Sequence, residues 1–96
     1  MKADIIAQIQ LFEKENGGRN NPTPNNWFGC PLIYNGLKYD CRILLDDCGS
    51  IKPGDVVTVP IKFLDTSTVM KVIQENKTFE LWEGGIIGNG RVVEVL

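Results

Sequence analysis

The chain has no histidine among its 96 residues, so the commonest general base and the commonest metal ligand are both missing. It has no run of basic residues either: ten Lys and Arg are scattered among twelve Asp and Glu, for a net charge of -2 and a pI near 5.0. A stand-alone binder of nucleic-acid backbone usually carries a basic face or a pI above about 9, so bare phosphate is a disfavoured partner. No apolar run approaches the roughly 20 residues of a bilayer-crossing helix. Met1 and Lys2 lead into a polar–apolar alternation instead of the apolar heart of a leader peptide. Neither a membrane nor a secretory route is expected. Cys30, Cys41 and Cys48 form an odd set with no C-x-x-C pair. That argues against zinc and for free thiols in a reducing cytoplasm.

What is present fits one ordinary globular domain over residues 1–96, with 43% hydrophobic and 23% charged residues. Ala3, Ile5, Ala7, Ile9 and Leu11 lie on one side, with Asp4, Gln8 and Gln10 on the other and only Ile6 and Phe12 breaking its polarity, a period of two that predicts a half-buried strand. Gly17 and Gly18 end it. Residues 20–31 read NNPTPNNWFGCP, a composition expected to form a surface loop rather than a central strand. Trp27 and Phe28 are the exceptions to its polarity. Either they fold back to plug one end of the core, or they stand out as an aromatic anchor for a partner.

Residues 32–34 predict a short strand, Asn35 and Gly36 a type I′ hairpin turn, and residues 38–45 the return strand with Tyr39, Cys41, Ile43 and Leu45 on one face. Lys52, Pro53, Gly54 and Asp55 read as a further turn. Val57, Val59, Ile61 and Phe63 alternate after it, interrupted at Pro60, which marks an edge or a bulge. Residues 65–77 are expected to be irregular, Thr78–Trp82 a strand, residues 83–90 a turn and residues 91–96 a closing strand. Short strands punctuated by turns, with no convincing helix, predict an antiparallel barrel or sandwich.

The segment 84–90 is not a phosphate-cradling loop, since no helix follows and no Lys with Ser or Thr closes it. Its glycines, however, belong to a larger pattern. Glu15, Asn16, Gly17, Gly18 and Arg19 form an EGGR-like corner. Pro53, Gly54 and Asp55 form a PGD turn, and Phe79, Glu83, Gly84, Gly85, Gly88 and Gly90 form F-x-x-x-EGG-x-x-G-x-G. In this order, across nearly the whole chain, these motifs resemble the C-terminal barrel, or third domain, of translation elongation factor Tu. The resemblance implies an all-β fold, a six-stranded antiparallel Greek-key β-barrel. It places Arg19, Glu83 and Gly84 at positions like those that touch the T-stem of aminoacyl-tRNA. The family's GTPase domain has no counterpart in this chain, so no nucleotide is expected. In the segment before residue 32 the family's GYRPQF stretch, with its tRNA-facing glutamine, is replaced.

Chemistry has little to work with. Cys41 is expected to face inward as an inert thiol, and Cys30, beside Pro31, is the one thiol worth testing for reactivity. Asp46 and Asp47 read as turn formers rather than an acid–base pair. No catalytic residue, cofactor or metal is assigned. The expected function is a non-enzymatic, cytoplasmic protein-interaction module whose partner-binding residues are Arg19, Trp27, Phe28, Glu83 and Gly84. A free copy of this barrel would serve as a decoy or immunity protein against a partner that docks on the elongation factor. The alternative is a tRNA-binding barrel.

Overall fold

The alternation in the first segment produces β1 (Ile5–Leu11), with Ile5, Ala7, Ile9 and Leu11 buried and Gln8 and Gln10 outside. Five strands follow in the computed structural model, which describes residues 2–96. They are β2 (Trp27–Tyr34), β3 (Leu37–Leu44), β4 (Val56–Phe63), β5 (Thr78–Trp82) and β6 (Ile86–Val95). Every pairing is antiparallel. The order β1-β4-β3-β2-β5-β6 closes on itself, so the protein is an all-β, six-stranded antiparallel barrel. β2, β3 and β4 are successive neighbours, and the chain then returns past them to lay β5 beside β2.

Inward residues of all six strands fill the barrel, as expected for one this small. Ile9, Leu32, Ile43, Ile61, Leu81 and Val92 are among those buried. Burying each Leu or Ile is worth about 1.5–3 kcal/mol, which supplies the main stabilising term. Asn35 (φ 51) and Gly36 (φ 79) take the paired left-handed conformation of a type I′ turn between β2 and β3. At the other side of the barrel, the buried Asp4 carboxylate accepts hydrogen bonds from Phe63 N–H (2.8 Å) and Thr66 Oγ1 (3.1 Å) and faces Lys62 Nζ at 3.3 Å. A buried carboxylate needs such partners; here they tie the start of β1 to the end of β4.

Three boundaries differ from expectation. Residues 20–31 are not all loop: β2 begins at Trp27 and carries Pro31 within it. A proline is tolerated there because Pro31 lies opposite Asp40, whose carbonyl turns the other way to accept Leu64 N–H at 3.1 Å. The ladder to β3 therefore asks for no donor at Pro31. Residues 20–26 do form a connection, pinned by Thr23, which donates its N–H to the Ile51 carbonyl (2.9 Å) and accepts Ile51 N–H on its hydroxyl (2.8 Å). Residues 83–90 are likewise not one turn, since β6 begins at Ile86. Within 65–77, a four-residue helix α1 (Thr66–Val69) forms, its first turn capped by the Asp65 side chain, which accepts from Thr68 N–H. Val69 at its end and Ile73 beyond it are buried, which anchors this crossover to the barrel.

Glycines permit the barrel to close. A Cβ at Gly18 would collide with the Phe12 carbonyl, so the corner after β1 can fold back only through glycine. A Cβ at Gly90 would lie 2.5 Å from Phe79 Cζ and 2.8 Å from the Gln8 carbonyl oxygen. The Phe79 ring fills the space that a side chain at Gly90 would need.

Candidate functional site

The Gly17–Gly18 corner sends Arg19 to the end of the barrel where β2 begins and β5 ends. There its Nη1 lies 3.4 Å from Glu83 Oε2, and its guanidinium sits over the Phe28 ring at 4.5 Å from the centroid. Arg19 is only 18% exposed in its side chain against 47% for Glu83, so the cation is the shielded member of the pair. Gly84 (φ 71) shapes the turn that follows Glu83, whose N–H is donated to the Gly85 carbonyl at 2.8 Å. The structure therefore brings Arg19, Phe28 and Glu83 together, with Gly84 next in chain.

Trp27 goes elsewhere. Consecutive residues of a strand point to opposite faces, so Phe28 enters the core at 5% exposure while Trp27 stands on the outer wall at 45%. The two readings of this aromatic pair, plug and exposed ring, thus apply to one residue each. The Trp27 ring leans over Gly29, whose Cβ, if present, would come within 3.1 Å of it. Arg42 covers the ring from β3 at 4.6 Å. Trp82, on the outer face of β5, is covered in the same manner by Lys38 at 3.8 Å. Each cation–π contact is worth about 0.5–1 kcal/mol at an exposed position.

Arg42, Lys38 and Trp82 were not among the sequence-derived site residues. The signal that could have found Arg42 is the Asn35–Gly36 turn: a two-residue hairpin fixes register, and counting back from it sets Arg42 opposite Gly29. Nothing local to Trp82 announces that Lys38 will reach it.

The thiol assigned as the one to test is placed differently. Cys30 points inward and is buried, directly opposite Cys41 in the β2–β3 ladder. Exposure requires an outward position, and the strand over residues 27–34 gives Cys30 the inward one. Cys41 donates its thiol to the Cys30 carbonyl at 3.2 Å. The side-chain contact with the Cys30 thiol, and then burial, push its pKa well above the usual thiol value, against a smaller opposing effect of the Cys30 main chain. Contact and burial favour the neutral thiol over the nucleophilic thiolate. Cys48 is the exposed cysteine, in the same turn as the exposed Asp46 and Asp47.

Two concavities open on the surface, one beside Trp27 and Phe28 and one away from them. A cleft of about 440 Å³ runs beside Pro24, Asn25, Asn26, Trp27, Phe28 and Gly29. A second groove, of about 650 Å³, crosses the outer faces of β1, β6 and β5, where Gln8, Gln10, Thr78, Glu80, Asn89 and Arg91 line it. Arg91 there donates to Asn76 Oδ1 at 3.1 Å. No helix among the described residues is long and apolar enough to cross a membrane. The fold defines a small closed β-barrel with an aromatic and cationic outer wall, and no protein-family model matches the chain.

Proposed function

We propose that this protein is a non-catalytic, cytoplasmic protein-interaction module that presents a surface similar to the third domain of elongation factor Tu. In this reading it is a decoy or immunity protein for a partner that docks on that barrel. The observation that carries the reading is the convergence of Arg19, Phe28 and Glu83 at one end of the barrel, with Trp27 exposed on the outer face of the same strand as Phe28. Tryptophan and arginine are both enriched among the anchor residues of protein interfaces. The acidic partner of Arg19 lowers the charge available to a phosphate, which sets a protein ahead of tRNA as the ligand.

Affinity capture from the source cell with wild type, Trp27→Ala and Glu83→Ala tests this reading, with melting temperature as the fold check. One protein species retained by wild type and lost by both folded variants is expected. Capture that is indifferent to both changes sinks the proposal. A gel shift with aminoacyl-tRNA that weakens steeply with salt and needs Arg19 favours the tRNA-binding alternative instead.

A further inference from the structure

We propose that the free edge of β2 over residues 27–29 accepts a short extended segment of another protein as an added strand. This rests on the reading of the protein as an interaction module and specifies the form its partner takes.

The hairpin register determines which main-chain groups of β2 are already used. The Asn26 carbonyl accepts Leu45 N–H at 2.8 Å, one place before the Trp27–Leu44 pair. Bonded pairs with β3 therefore fall on even-numbered residues of β2, and the odd-numbered ones face the opposite side. The Asp40 carbonyl, turned toward Leu64, agrees with that alternation. On the outward side, Ile33 finds Glu80 of β5. Pairing with β5 stops at Leu32, and no described residue exchanges a backbone hydrogen bond with Trp27 or Gly29 on that side. Both residues are exposed, and the open cleft of about 440 Å³ lies alongside them.

N–H and C=O groups that recur at every second residue are complemented by another extended main chain. A single phosphate or a sugar ring does not match that spacing. Pro31 bounds the site, because it offers no N–H on the same edge. The edge is thus too short for open-ended strand addition, and the occupant pairs through about three to five residues. Side chains on the outer face of that strand meet the Trp27 ring and Arg42. Arg42 has no ion pair among the described residues, so an acidic side chain in the added segment is the complementary choice.

Random peptides displayed on phage, selected on the intact protein, supply the probe. The best binder is then titrated against wild type, Gly29→Pro and Gly29→Ala, with melting temperatures recorded for each. Proline deletes the N–H that faces the cleft and spares the β3 ladder, as Pro31 already does. Alanine adds a Cβ against the same Trp27 ring and keeps the N–H. We expect selected peptides to carry β-forming residues with an acid among them. They bind wild type and Gly29→Ala within about threefold and Gly29→Pro at least about tenfold more weakly, the effect of one main-chain hydrogen bond lost with its partner left unmet. Amide exchange at Trp27 and Gly29 slows in the wild-type complex, and this reading decides alone if Gly29→Pro does not fold.

The proposal is overturned if no peptide binds, if binding ignores Gly29→Pro, or if exchange protection falls elsewhere. It is also overturned if wild type forms a concentration-dependent dimer that Gly29→Pro makes monomeric, since the occupant is then a second copy. A cellular partner that needs the side chains of Trp27 and Glu83 but tolerates Gly29→Pro removes the added strand and leaves the interaction module standing.

Discussion

Two seams of the same barrel are built in opposite ways. β1 and β6 are paired from Ile5 to Leu11, with Gly88 and Gly90 allowing the backbones to approach so closely that no Cβ fits. β2 and β5 are paired only at Leu32 and Ile33, and beyond Pro31 the edge of β2 lies open. A barrel abolishes exposed strand edges by closing, and here closure is complete on one side and partial on the other. The difference teaches that glycine and proline act on the same variable, the reach of the hydrogen-bond ladder, with opposite results. The sealed seam holds the fold, while the open one leaves an aromatic ring, a cation and unused main-chain groups facing outward.

The largest test asks whether the open seam is nonetheless part of the core. Phe28→Ala removes the ring that plugs this end and supports Arg19, and is expected to cost about 3–4 kcal/mol in urea unfolding. A loss below about 1 kcal/mol means that the seam is already wet inside, and the contrast with the sealed side becomes one of core as well as edge. Next comes Gly88→Ala in the sealed seam. Its Cβ meets the Gln10 carbonyl, a backbone group that cannot swing aside, and about 2–3 kcal/mol of destabilisation is expected. A neutral result would show that β1 and β6 can separate without loss.

Cys41 sharpens the comparison from within, because its contact with Cys30 and its burial behind β2 together hold the thiol neutral. Its thiol ionises in the unfolded chain near its ordinary value of 9.0 and only well above that when folded. The folded state therefore keeps a proton that the unfolded state has lost, so stability falls as pH rises through about 9, by up to about 1.4 kcal/mol per pH unit. Below that pH the group contributes no pH dependence. Urea unfolding of wild type and Cys41→Ala at about pH 8 and about pH 10 isolates the effect. Equal slopes in the two proteins contradict the hold that Cys30 and burial have on the thiol proton.

Local patterns were legible in the sequence on both seams, and features set by pairing between distant strands were not. The alternation from Ile5 to Leu11, the Asn35–Gly36 turn and the strand Thr78–Trp82 are local patterns, and each forms as its residues predict. The expectation failed at residues 27–31 because Asn, Pro and Gly are strand breakers on average. Pro31 escapes that rule through the direction in which Asp40 turns its carbonyl, a property of the ladder and not of the segment. Residues 86–90 failed for a related reason: glycines that read as a turn are there for the approach of β1. Arg19 and Glu83 were grouped in the sequence only through the family resemblance, and the barrel sets them 3.4 Å apart. The cover of Trp82 by Lys38 spans two strands and left no local trace.

A smaller effect separates the ion pair from the ring beneath it. Arg19 and Glu83 lie 3.4 Å apart with Glu83 half exposed, so solvent screens their attraction. A double-mutant cycle of Arg19→Ala and Glu83→Ala is expected to give a coupling of about 0.5 kcal/mol, reduced further at high salt. Arg19→Ala alone should cost more than that, because it also uncovers Phe28. A coupling that accounts for the whole single-variant loss contradicts the role given to the ring.

The smallest expected change is Gly29→Ala, and it is the direct counterpart of Gly88→Ala. Both put one methyl group on a strand glycine, and both positions are crowded in the native chain. At Gly88 the obstacle is backbone, whereas at Gly29 the nearest atom is Cζ3 of Trp27, the far end of a half-exposed side chain free to tilt toward solvent. Surface changes of this kind fall within about 0.5 kcal/mol, so Gly29→Ala should melt with wild type while Gly88→Ala does not. If the two lose comparable stability, the Trp27 ring is held as rigidly as a backbone, and the wall beside the β2 edge is a sealed part of the fold instead of a surface ready to receive a strand.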